Sequence, residues 1–144
     1  MPASSWPGPR ASVEALVRDI GAEGHVRACL GLLNGDDVDG HIVHALGGPP
    51  ARWAMDGSAS GPDYWLRVWA LRGLLWHWDA RASAAVVEAL GDDSWRVREM
   101  ACKVLARHLV GEAVEPLIGL QHDEVSRVRA AAHRAVERLV SRGE

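Results

Sequence analysis

The 144-residue chain is 48% apolar and 24% charged with a net charge of −3, which fits one soluble globular domain with a sizeable core. Residues 1–94 hold seven basic and twelve acidic side chains and residues 95–144 nine and seven, so neither half is a basic footprint for phosphate. No apolar run nears the roughly 18 residues of a membrane span, and Cys29 and Cys102 form no C-x-x-C motif; cytoplasm is the default compartment, without disulfide or zinc site.

In chain order, Met1 to Arg10 holds three prolines and reads as a disordered tail, leaving 11–144 as a single domain. Val13, Leu16, Val17 and Ile20 form a first helical stripe, and Val26-Arg27, Leu30 and Leu33 a second helix near 24–34. Val43, Leu46 and Gly47 mark a helix over 38–47. Residues 48–62, rich in Pro, Gly and Ser and carrying Trp53 and Met55, are an inserted loop; loops of this length are usually functional or disordered. Longer helices follow near 63–78, 94–109 and 125–141, with shorter ones near 80–90 and 112–121 between them.

These last elements repeat at a spacing of 31. Leu66-Arg67 matches Val97-Arg98 and Val128-Arg129; Ala70 matches Ala101 and Ala132; Leu74 matches Leu105 and Val136. The i, i+4, i+8 stripe is one helix face, and its alanine marks a close backbone approach. Leu117 and Leu120 are matched to Val87 and Leu90, which requires one residue inserted before Val128. Asp63, Asp92, Asp93 and Asp123 stand in the turns, where a carboxylate can accept from the next helix's first amides.

The run Asp92-Asp93-Ser94-Trp95-Arg96-Val97-Arg98 with Ala101 and Leu105 resembles HEAT repeats, in particular the short bacterial kind grouped with phycobilisome-lyase-like repeats, and Asp123 to Val136 is similar. The resemblance covers about residues 63–144 well and implies an all-α, right-handed α-solenoid of about four repeats and roughly eight helices. It also implies that Arg67, Arg98 and Arg129 pair with the turn aspartate of a neighbouring repeat, as scaffold. The expected function is a protein–protein interaction or scaffold module. The alternatives are a DNA-binding or DNA-repair HEAT-like protein, disfavoured by the charge balance, and a tetrapyrrole-handling lyase-like protein.

One repeat departs from the pattern. Trp65 stands where Arg96 and Arg127 stand, and Trp76 where Arg107 and Arg138 stand. Trp65, Trp69, Arg72 and Trp76 share one helix face, beside the core stripe. Either the loop with Trp53 and Met55 folds over this face, or loop and helix frame an aromatic groove of the kind that anchors partners. Trp53, Met55, Trp65, Trp69, Arg72 and Trp76 are therefore the candidate partner-binding residues. His41 and His44 supply half a metal site at most, and His77 and His108, in equivalent positions, read as partly buried core histidines. No nucleophile elbow, P-loop or dinucleotide fingerprint occurs; no catalytic residue, cofactor or metal is expected. At the C-terminal end, Ala131, Ala135 and Val140 lack a following helix. This favours either a homodimer through the C-terminal helix or, given Arg127, Arg134, Glu137 and Arg138, a polar cap.

Overall fold

The computed structural model describes residues 6–54 and 63–143, and among them every regular element is helical. The chain divides into two compact units, one ending at Trp78 and one beginning at Asp79.

The first unit contains α1 (Pro9–Asn34), α2 (Gly40–Gly47), a 3₁₀ segment (Pro49–Ala54) and α3 (Tyr64–Trp76). Pro9 opens α1, where its missing N–H was unpaired in any case, so helix begins inside the stretch expected as tail. Gly21 takes φ 83 and ψ 159, a conformation open essentially to glycine alone, and breaks α1 into two helical halves. The halves correspond to the two helical stretches expected in the sequence: Val13 and Leu16 are buried from the first stripe, but of the second only Val26 is, and Cys29 and Leu32 are buried where Leu30 and Leu33 were expected. Ser12 Oγ donates to the Ala45 carbonyl at 2.7 Å, tying the start of α1 to the end of α2. Asp39 caps α2 by accepting from the His41 amide at 2.8 Å. Residues 49–54 of the expected loop are thus a 3₁₀ turn, and residues 55–62 lie outside the described residues.

Packing of α1 and α2 on α3 depends on Gly73. A Cβ there would lie 2.8 Å from Leu46 Cδ2, 3.1 Å from Cys29 Sγ and 3.2 Å from His25 Cε1. The same register position carries Val104 and Ala135 further on, both fully buried. Only α3 has exchanged its side chain for closeness.

The second unit contains α4 (Ser83–Ala89), α5 (Trp95–Arg107), α6 (Val114–Leu120) and α7 (Ser126–Gly143), with 3₁₀ turns at Ala80–Ala82 and Gly111–Ala113 leading into α4 and α6. The spacing of 31 holds for all of these starts, which removes the inserted residue expected before Val128. Leu117 corresponds to Val86, both fully buried, whereas Val87 is only half-buried. Matching leucine to leucine had shifted the short helix by one position. The stripe alanines behave as expected: Ala70, Ala101 and Ala132 are fully buried.

A polar clasp joins the repeats of this unit. Arg98 Nε and Nη2 donate to the two Asp123 carboxylate oxygens at 2.9 and 3.2 Å, while Nη1 donates to the carbonyls of Asp92 and Asp93 in its own turn. Asp123 also accepts from the Val125 amide at 2.9 Å, as Asp92 does from Ser94. Burial alone would raise the Asp123 carboxyl, but the Arg98 and Val125 hydrogen bonds and the charges of Arg98 and Arg129 outweigh it and hold it below its ordinary range. Beside the clasp, Glu99 accepts from Arg127 through both carboxylate oxygens at 3.1 and 3.2 Å. The guanidinium groups of Arg96 and Arg127 both lie over the indole of Trp95, 4.5 and 5.0 Å from its ring centre.

The expected lack of cover on α7 is corrected in part. Packed on α5 and α6, α7 buries Ala131 and Ala135, at 4% and 0% exposure, and leaves only Val140 of the three exposed.

Candidate functional site: the aromatic face of α3

Spacing alone places Trp65, Trp69, Arg72 and Trp76 on one side of α3. The structure gives the four residues different tasks. Trp69 is only 5% exposed, and its indole lies on Gly47: a Cβ at Gly47 would sit 2.6 Å from Trp69 Cδ2. It therefore belongs to the core of the first unit. Arg72 is half-buried, and its Nη2 donates to the Leu46 carbonyl at 2.8 Å, satisfying a late carbonyl of α2. Its Nε is buried with no hydrogen-bond partner among the described residues, and burial lowers the guanidinium from its usual value. Trp76, half-buried, carries the Arg10 guanidinium 5.5 Å above its ring.

At the start of the helix, Trp65 stacks on Trp69 at 6.3 Å with an interplanar angle of 23°, and Tyr64 meets Trp65 at 5.3 Å, tilted by 41°. Both residues are half-buried. Trp65 therefore extends outward from an indole that is itself fixed in the core, an arrangement that holds a large aromatic surface with little rotamer freedom. Trp53 is described in its backbone alone, in the last turn of the 3₁₀ segment, and Met55 lies outside the described residues. The expected continuous face is thus divided: Trp69 and Arg72 hold the fold, and Tyr64–Trp65 and Trp76 stand at its two ends.

Sequence reasoning missed a second cluster in the same unit. His25 is fully buried, with Nε2 3.1 Å from the Gly73 carbonyl and 3.8 Å from Cys29 Sγ. A carbonyl only accepts, so Nε2 carries the hydrogen. The ring meets His77 edge-on at 5.7 Å between centres. Nδ1 of His25 is buried without a hydrogen-bond partner among the described residues. Burial pushes the Cys29 thiol up to about 12, so it is a neutral core group and not a nucleophile. The available signal was Gly73, a glycine inside a helix where the other repeats carry side chains. His77 and His108 are both half-buried, as expected from their register.

Among the described residues no group of three or more His, Cys, Asp and Glu side chains is arranged to hold a metal ion, and no helix is long and apolar enough to cross a membrane. No curated protein matches the chain. The family model for HEAT repeats matches residues 52–137, from the 3₁₀ segment to the middle of α7. The match, the 31-residue register of α5 and α7 and the aspartate turns agree: the chain belongs to the HEAT-repeat family.

Proposed function

We propose that this chain is a protein-interaction module whose contact surface is the Tyr64–Trp65 end of α3, with Trp76 at the other end of the helix. HEAT repeats commonly serve as protein-interaction scaffolds, and the polar network of the second unit is accounted for by packing between its repeats. The observation that carries the reading is the substitution of register at position 65. Where α5 and α7 carry Arg96 and Arg127, α3 carries an indole, half-buried and stacked on the core residue Trp69. An aromatic residue fixed from beneath, at a place the scaffold does not require one, is the form a binding anchor takes.

The test uses that same register. Trp65→Arg installs the residue the other repeats use, so the fold should tolerate it. A photo-crosslinking amino acid at position 64, used in the cell of origin, should give a discrete protein adduct in the wild-type background and lose it in Trp65→Arg. The same crosslinker at Arg138, on the exposed side of α7, should give no such adduct. Equal adducts with and without the indole would dismiss the surface.

A further inference from the structure

We infer that His25 makes the packing of α1 on α3 an acid-released joint, in which proton uptake by the buried ring loosens that contact. The geometry comes first. His25 is fully buried in the second half of α1, its Nε2–H donates to Gly73 near the end of α3, and Gly73 is a glycine so that this approach can occur. A neutral ring fits these surroundings, with Nδ1 as a bare lone pair that nothing among the described residues contacts by hydrogen bond. A proton on Nδ1 makes it a donor with no hydrogen-bond partner in the packed arrangement and puts a charge in a buried site.

The groups around the ring favour the neutral form on balance. From α1 comes Cys29, a neutral thiol whose pKa burial raises to about 12. From α2 comes the apolar Leu46, fully buried beside Gly73. From α3 comes the Gly73 carbonyl, whose hydrogen bond favours the cation, as does the His77 backbone. The His77 ring, just beyond α3, opposes it by like charge. Burial is the largest influence and brings His25 below the ordinary value of 6.5. The unfolded chain therefore binds more protons than the folded one between 6.5 and the lowered folded value. Stability owed to this group is complete above 6.5 and is lost as pH falls through that window.

The experiment is denaturant unfolding of the full chain, followed by Trp fluorescence at a series of pH values. The folding constant of the wild type should be level above 6.5 and then fall by up to about tenfold per pH unit, one proton being taken up. His25→Gln should flatten that window, and His77→Gln should leave its upper edge near 6.5 while raising its lower edge, so that less stability is lost. A wild-type constant that stays level through the window, or a His25→Gln slope equal to the wild type, overturns the inference. Should His25→Gln not fold, the ring nitrogen shifts of wild-type His25 by NMR decide. A ring that takes up its proton below the ordinary histidine value of 6.5 supports the joint, and one that takes it up at or above that value overturns it.

Discussion

Arg98 of α5 and Asp123, in the turn before α7, form a two-pronged ion pair at 2.9 and 3.2 Å, with their side chains only 11% and 7% exposed. Arg129, one register step on, instead makes a single hydrogen bond within its own turn, Nη1 to the Asp123 backbone carbonyl at 2.7 Å, and is exposed. The Arg98 contact is therefore structural and the Arg129 contact mostly solvated.

Removing the carboxylate should be costly. Asp123→Ala leaves a buried guanidinium without its counter-ion and the Val125 amide without its acceptor, and should lower unfolding free energy by about 3 kcal/mol. Arg129→Ala should lose well under about 1 kcal/mol, because Arg129 is an exposed side chain whose hydrogen bond goes to a carbonyl at the surface. Urea unfolding of the two variants checks the contrast.

The same pair sets an acid limit. The folded Asp123 carboxyl lies below its ordinary value of 3.8, so its contribution is complete above that value and is lost as pH falls through the lowered one. Acid unfolding of Asp123→Asn should show a shallower pH dependence below 3.8 than the wild type.

Trp69 and Trp65 should separate cleanly. Trp69→Ala empties a core position packed on Gly47 and should cost about 3–5 kcal/mol. Trp65→Arg should change thermal stability by about 1 kcal/mol or less, since the scaffold accepts arginine at that register. Comparable losses from both would place Trp65 in the core.

Gly21→Ala forces a side chain into φ 83, ψ 159 and should cost about 1–3 kcal/mol although nothing lies within 4 Å of the added methyl. Gly73→Ala has the opposite cause, a helical backbone but no space. Overpacking of about 1–3 kcal/mol should outweigh the roughly 1 kcal/mol that alanine contributes to a helix. Differential scanning calorimetry of the two variants measures both.

The stacking register was legible because it rests on residues that do one thing. Ala70, Ala101 and Ala132 are small where helices meet, and their spacing survives every other substitution. The short helices were harder to place: Val86 and Val87 are alike as letters, and it is the helix starts and the burial that pair Val86 with Leu117. The aromatic face was legible as a face but not in its division. Whether Trp69 points into a core depends on Gly47, a residue 22 positions earlier that no helical period connects to it. His25 was hidden for the same reason, since its partners Gly73 and His77 are remote in sequence.

The glycine pair after α2 has a practical side. Gly47 takes the face of Trp69, while Gly48, at φ 75, takes the ring of Trp6, whose Cζ2 would lie 2.7 Å from any added Cβ. Two indoles thus grip consecutive peptide units, one from α3 and one from the segment ahead of α1. A purification tag fused close ahead of Trp6, or a protease nick between Trp6 and Pro9, would alter one jaw of that grip. Preparations that differ only at their amino-terminal end should then differ in the firmness of α2, and binding measured with them should be compared only when that end is the same.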